Sequence, residues 1–177
     1  MKTHTTSGEK DPRRQVRGAV SRAAGKLFER RLDNTFAYYR ETGAAIIEKT
    51  PEPMRPTESL GGGRFVAYFE KRAQPDYKGT IKGGRTVLYE AKFTQTSKLE
   101  QNRITPGQAE YLEQHQSLGA RCYVIAGFAT GNVYRLPWPI WRDMKAHFGR
   151  KYISESDAVM QDFKVFQTRD GILLLLD

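Results

Sequence analysis

The sequence predicts a single α/β domain in which helices flank a mixed β-sheet. The chain has 177 residues, a typical size for one domain with a substantial core. Helical periodicity near the start gives way to short strands, a second helix and further strands, an order that places helices on the faces of a sheet. Glycine-containing turns between neighbouring strands indicate hairpins, which argue against a purely parallel sheet.

The N-terminal part of the chain predicts an arm followed by a helix. Residues 1–24 are polar and basic and lack apolar periodicity. We therefore expect either a flexible basic arm or a terminus without a role, followed by one domain over 25–177. From Leu27 to Tyr39, apolar residues recur at three- and four-residue spacing and predict an amphipathic helix that ends at Gly43.

An insert over 50–64 follows a short predicted strand at 44–49. Three prolines and three consecutive glycines in this insert exclude a helix or a central strand. We expect a long protruding loop, the stalk, before a strand resumes at 65–69, because a long irregular loop inside a compact domain is often functional. A disordered surface loop is the alternative interpretation.

The remaining elements follow from cap and turn residues. Thr105, Pro106 and Gln108 form a favoured helix start, with threonine as the cap, proline in the first turn and glutamine three residues after the cap. The other expected elements are a hairpin with strands at 76–79 and 86–92, a helix to about 118, strands at 122–128 and 132–136, and a short helix at 141–148 that ends at Gly149.

The net charge indicates the kind of partner, and the cysteine content excludes two kinds of site. Lys and Arg total 29 against 20 Asp and Glu, so a net charge of +9 indicates a polyanionic partner. The one cysteine, Cys122, excludes an internal disulfide framework and a multi-cysteine zinc site, and its place in a strand is typical of a core residue. No apolar run approaches the roughly 20 residues that span a bilayer, so we expect a soluble cytoplasmic protein without a membrane partner.

Asp76, Glu90 and Lys92 form the constellation that carries chemistry. Glu90 and Lys92 are two strand positions apart and share one face, and the predicted hairpin brings Asp76 beside them. Two carboxylates and an amine can hold Mg²⁺ and stabilise charge on a phosphate, as metal-assisted phosphodiester hydrolysis requires. An exposed ion pair between Glu90 and Lys92, with Asp76 as an ordinary turn residue, is the alternative.

Several sequence motifs, taken together, resemble one nuclease family. Asp76 after a proline, with Glu90-Ala91-Lys92, is similar to the PD-(D/E)xK signature of restriction-endonuclease-like nucleases. Residues 25–29, 46–53, 76–79, 90–92 and 108–110, in this order, resemble the RecU family of bacterial and phage Holliday junction resolvases. The resemblance implies a restriction-endonuclease-like fold and a homodimeric endonuclease that depends on Mg²⁺, with Mn²⁺ as a substitute, and cuts a four-way DNA junction.

The resemblance also implies roles for single residues. Asp76 and Glu90 would be metal ligands, and Lys92 would stabilise the transition state. Gln108 would be a further ligand or site contact, although it also occupies the reciprocal position of a capping box. Gln74 stands where the family often has a hydroxyl residue, and its amide oxygen could replace that ligand. Glu29 would join the acidic cluster, whereas composition alone favours a solvated helix residue.

DNA contacts and partners complete the expectations. A stalk that enters the junction would bind phosphates without reading sequence. The expected DNA-contacting residues are Lys49, Arg55, Arg64, Lys71, Arg72 and Lys78. Trp138 and Trp141 are expected to pack in the core or a dimer interface. Recombination proteins are further expected partners, and association with the nucleoid is the expected localisation. Two alternative functions stay open, that of a non-catalytic DNA-binding protein and that of a sequence-specific restriction-type nuclease.

Overall fold

The computed structural model describes residues 12–69 and 74–176, and they form helices around a central sheet. The helices are α1 Pro12–Glu41, α2 Pro106–Ser117, α3 Trp138–Arg142 and α4 Met144–Phe148, with 3₁₀ turns at Gln101–Arg103 and Ala158–Phe163. The strands are β1 Ala45–Lys49, β2 Met54–Gly61, β3 Arg64–Phe69, β4 Tyr77–Ile81, β5 Arg85–Thr94, β6 Lys98–Glu100, β7 Arg121–Phe128, β8 Val133–Pro137, β9 Tyr152–Ser154 and β10 Lys164–Val165. No helix within the described ranges is long and apolar enough to cross a membrane.

The central sheet has six strands in the order β1-β4-β5-β7-β8-β10. The pairing of β5 with β7 is parallel, because α2 connects these strands, and the other neighbours are antiparallel. The predicted mixed sheet flanked by helices is therefore confirmed. Two ribbons of two strands, β2-β3 and β6-β9, lie outside this sheet.

Each face of the central sheet carries its own hydrophobic core. On one face α1 buries Phe28, Leu32, Phe36 and Tyr39 against β1, β4 and β5, and the C-terminal residues Leu173 and Leu175 join this cluster. On the other face α2, α3 and α4 cover β5, β7 and β8, with both tryptophans inside the core as expected. Because both cores use strand β5, its side chains are buried on alternate faces.

The first helix begins earlier than the periodicity indicated. It starts at Pro12, so residues 12–24 are helical instead of forming an irregular arm, and residues 1–11 lie outside the described part. Val16 and Val20 in this extension are exposed. The extension therefore has no buried apolar face, and its sequence shows no apolar periodicity that would predict a helix. The expected end is confirmed, because Gly43 adopts a φ of 67° directly after the helix.

The insert after β1 is a β-hairpin and not an irregular loop. Strands β2 and β3 pair in antiparallel register from Met54 with Phe69 to Gly61 with Arg64, with register shifts after Pro56 and after Ser59. Every residue of β2 is exposed. The prediction of a loop was wrong because proline excludes a central strand but is compatible with a two-stranded ribbon that has free edges. The segment predicted as a protruding stalk, 50–64, therefore contains β2 and the turn of this hairpin, and the strand predicted at 65–69 is β3.

Candidate active site

Strand pairing brings Asp76 next to Glu90. Tyr77 at the start of β4 pairs with Tyr89 of β5, so the preceding Asp76 lies across from Glu90 in the antiparallel register. The backbone N–H of Ala91 donates a hydrogen bond to Asp76 Oδ2 over 2.8 Å and fixes that carboxylate against β5. The two acidic residues are therefore neighbours at one edge of the β4-β5 hairpin, as the sequence predicted.

Glu90 is fully buried, which distinguishes it from a surface ion-pair partner. Its exposed fraction is 0%, and its Oε1 accepts hydrogen bonds from Lys92 Nζ at 2.5 Å and from Gln108 Nε2 at 2.6 Å. Its second oxygen, Oε2, is buried and has no hydrogen-bond partner. A buried carboxylate oxygen left without a partner is costly. The interpretation of Glu90 and Lys92 as an exposed pair is therefore wrong, although the pair itself forms.

Burial shifts the ionisation of both acidic residues. Burial, reinforced by the charge of Asp76, raises the pKa of Glu90 to about 7, against the opposing effect of Lys92. Burial also raises the pKa of Asp76, although Lys92 and the hydrogen bond from Ala91 lower it. Perturbed carboxylates that share a site are typical of functional centres. A cation bound here would favour the ionised form of both groups.

Gln108 connects the start of α2 to the buried carboxylate. Its Oε1 accepts a hydrogen bond from the backbone N–H of Thr105 at 3.1 Å, and the Thr105 hydroxyl accepts from the Gln108 backbone N–H at 3.3 Å. The predicted capping box is therefore confirmed. The same side chain donates to Glu90 through Nε2, so Gln108 serves the cap with its oxygen and the site with its nitrogen.

A second group of polar residues comes from α1 and the end of β1. Lys49 Nζ contacts Glu29 Oε2 at 2.6 Å, and both side chains are about half exposed. Tyr77 donates from its hydroxyl to Asp33 Oδ1 at 2.8 Å. The Tyr77 hydroxyl also lies 3.4 Å from the carbonyl oxygen of Glu29, which places this group beside the residue that follows Asp76. Glu29 therefore pairs with Lys49, and among the described residues it forms no three-acid group with Asp76 and Glu90 of the kind that the resemblance implied.

Sequence reasoning missed Asp33 and Tyr77. Asp33 follows Glu29 by four residues on α1, so the two side chains share one helix face, and this spacing was the available signal. Tyr77 follows Asp76 directly and points toward α1, where it is 1% exposed. Burial and Asp33 raise the pKa of Tyr77, so its hydroxyl stays protonated as a donor.

The other predicted residues are distributed over several surfaces. Gln74 is half-buried in the segment that leads into Asp76. Arg55 and Arg64 lie on the exposed β2-β3 hairpin, and Lys78 is exposed on β4. Lys71 and Arg72 lie outside the described residues. Lys49, another expected DNA contact, forms the ion pair with Glu29 described above.

The donor set fits a hard divalent cation in part. Within 12–69 and 74–176, no three His, Cys, Asp or Glu side chains form a group that could hold a metal ion. The fit rests instead on two neighbouring carboxylates, Asp76 and Glu90, and on the unpartnered Oε2 of Glu90. Carboxylate oxygens are the ligands that Mg²⁺ prefers, and it commonly keeps several waters beside one or two of them.

Comparisons with known proteins agree on one family. The family model described as RecU, Recombination protein U, matches residues 23–177. The chain is 33% identical over 144 residues to the Holliday junction resolvase RecU of Bacillus pumilus, covering 75% of this chain and 68% of the relative. It is 30% identical over 122 residues to the protein of the same name from Streptococcus gordonii, covering 65% and 60%. The chain thus spans about two thirds of these relatives.

Solved structures also match this chain. Among them is the structure of Hjc, a Holliday junction resolvase from Archaeoglobus fulgidus. The match has 15% sequence identity and a TM-score of 0.47, and it covers 76% of this chain and 93% of Hjc.

Proposed function

This chain belongs to the RecU family, and we propose that it is a Holliday junction resolvase that hydrolyses phosphodiester bonds in four-way DNA junctions. The observation that carries the proposal is the buried Glu90, which lies beside Asp76 and whose Oε1 is 2.5 Å from Lys92 Nζ. The named relatives are Holliday junction resolvases, which supports this substrate. The net charge of +9 suits a DNA partner.

Asp76 and Glu90 would hold a divalent cation, for which we propose Mg²⁺ with Mn²⁺ as a substitute. When bound, the cation would lower the pKa of a water and neutralise charge on the phosphate. Asp76 is oriented for this by the Ala91 N–H, and Glu90 by Gln108. The unpartnered Oε2 of Glu90 supports this assignment, because its desolvation has no compensation within the described residues.

Lys92 would act on the phosphate. Its side chain is 15% exposed, so the ammonium group lies at the border between the buried pair and solvent. A cation held there by Glu90 is positioned to stabilise negative charge that develops on the phosphate oxygens. Glu29 would hold Lys49 at the margin of the same site.

The β2-β3 hairpin would provide junction selectivity. It is exposed along all of β2 and carries Arg55 and Arg64. A projecting ribbon fits the open centre of a junction, where helices diverge, better than it fits a continuous duplex. A homodimer would present two sites to the two opposed strands, as closed two-fold symmetry favours.

Cleavage of a four-way junction and of a linear duplex of equal length in Mg²⁺ tests the proposal. Lys92→Ala should lower single-turnover cleavage by about 100-fold or more, with metal-free junction binding nearly unchanged. Lys82→Ala is the control, because Lys82 is an exposed lysine in the turn before β5, and it should cut normally. Wild-type protein that binds junctions without cutting them would indicate a non-catalytic DNA-binding protein, and equal cutting of duplex would remove the junction assignment.

A further inference from the structure

A basic surface directly follows the site strand along the chain. Thr94 lies two residues beyond Lys92 on β5, roughly 7 Å along the strand. The Thr94 hydroxyl donates to the carbonyl oxygen of Lys98 at 3.1 Å, and the Thr96 hydroxyl donates to the same oxygen at 2.8 Å. This turn holds the backbone of Lys98 within roughly 13 Å of Lys92. DNA bound at the site would therefore pass close to β6.

The side chain of Lys98 is directed outward. Strand β6 pairs with β9 so that Leu99 opposes Ile153, and both of these side chains are buried in the core. Because side chains alternate along a strand, Lys98 and Tyr152 point to the opposite, solvent-facing side. Lys98 Nζ lies 4.5 Å from the centroid of the Tyr152 ring, which restrains the ammonium group at the surface.

Two further cations lie beside this ribbon. Arg103 ends the 3₁₀ turn that follows β6, and the backbone N–H of Gln101 donates to the carbonyl oxygen of Lys151 at 2.9 Å. Both Arg103 and Lys151 are exposed. The three cations Lys98, Arg103 and Lys151 are here called the β6 surface. Two carboxylates lie at the same ribbon, namely Glu100 in β6 and Asp157, which accepts a hydrogen bond from the backbone N–H of Ser154 at 2.8 Å.

The three cations of the β6 surface are not neutralised by acidic partners. Within the described ranges, no ion pair involves Lys98, Arg103 or Lys151, in contrast to nearby Arg142, which pairs with Glu113 and Asp143. Arg150 likewise pairs with Asp157. Exposed cations without an internal partner remain available to a polyanion.

We propose that the β6 surface binds the phosphate backbone of the DNA arm next to the reacting phosphate. The inference rests on the proposed function and adds a contact surface separate from the β2-β3 hairpin. Duplex DNA presents a phosphate roughly every 3.4 Å of axis on each strand, so an arm leaving the site offers several phosphates to this surface. Lysine and arginine contacts to phosphates fix the position of the duplex and are independent of sequence.

A salt titration of metal-free binding to linear duplex tests this surface. The double variant Lys98→Ala/Arg103→Ala should reduce the slope of log affinity against log salt by about 1.8, since each phosphate contact contributes about 0.9. The matched control is Lys82→Ala/Arg85→Ala, which removes the same charges at the other end of β5, roughly 24 Å from Lys92. It should keep the wild-type slope. All four positions are exposed, and thermal melting verifies folding.

Equal slopes for the two double variants would contradict the proposal that the β6 surface binds DNA phosphates. This outcome is separate from failure of the proposed function, because duplex binding is measured without metal or cleavage. If wild-type protein fails to cut junctions but the slopes differ as expected, the DNA-binding role of the β6 surface is supported and the nuclease assignment is rejected. If wild-type protein cuts junctions and the slopes agree, the nuclease assignment holds and phosphates are bound elsewhere.

Discussion

Glu90→Gln should stabilise the metal-free protein at pH 8 while abolishing cleavage. Glu90 is 0% exposed, and burial with the nearby charge of Asp76 raises its pKa to about 7 from an ordinary value of 4.5. The folded protein therefore keeps a proton on Glu90 between pH 4.5 and 7, where the unfolded chain has lost it. The free energy of unfolding must fall as pH rises through that window.

The magnitude follows from the size of the pKa shift. A shift from 4.5 to about 7 corresponds to about 3 kcal/mol at 1.36 kcal/mol per pKa unit. Glutamine mimics the protonated carboxyl group at every pH, keeps the contact to Gln108 available and removes the like charge beside Asp76. At pH 8 the variant should therefore unfold at a temperature about 6 to 12 °C higher than wild type, and near pH 4.5 the difference should be small.

Thermal melting in EDTA at pH 4.5 and pH 8 measures this difference. If the proposed metal site is correct, Mg²⁺ at pH 8 should raise the melting temperature of wild type, because it would bind the ionised site of the folded state, and should raise that of Glu90→Gln much less. Junction cleavage by the variant should be lost, with metal-free binding retained. A variant that is less stable than wild type at pH 8 in EDTA would refute the reasoning, since Glu90 would then stabilise the fold as a charged group.

Two further variants test the packing around the site. In Gly127→Ala, the added Cβ would lie 2.7 Å from the ring of Phe28, so urea unfolding should show a loss of about 1 to 3 kcal/mol; unchanged stability would place Phe28 elsewhere. Thr105→Ala should cost about 1 kcal/mol through loss of the hydroxyl that caps the helix. It should also raise the Mg²⁺ concentration needed for thermal stabilisation, because the Gln108 side chain loses its contact to the Thr105 hydroxyl and keeps only the one to the Thr105 backbone N–H. Thr105→Ser should restore both values, and equal Mg²⁺ requirements would separate the cap from the site.

Local patterns predicted most secondary-structure elements. Helix α2 was predictable because its start depends on residues within one turn, from Thr105 to Gln108. The β4-β5 hairpin was predictable because its turn contains two glycines, both with positive φ. The helical extension before residue 25 was not predictable, because exposed side chains such as those of Val16 and Val20 produce no apolar periodicity. The β2-β3 hairpin was missed because proline and glycine are equally compatible with a loop and with a free-edged ribbon.

The sequence by itself determined the residue types of the site and the face shared by Glu90 and Lys92, since alternation along a strand is a local property. Only the tertiary structure decided the environment of Glu90, which is completely buried where α2, packed on β7, places Gln108 against its carboxylate. The contact from Gln108 Nε2 joins residues 18 positions apart, and the pairing of Lys49 with Glu29 joins a strand to a helix. Such contacts depend on packing between elements, which local spacing does not specify.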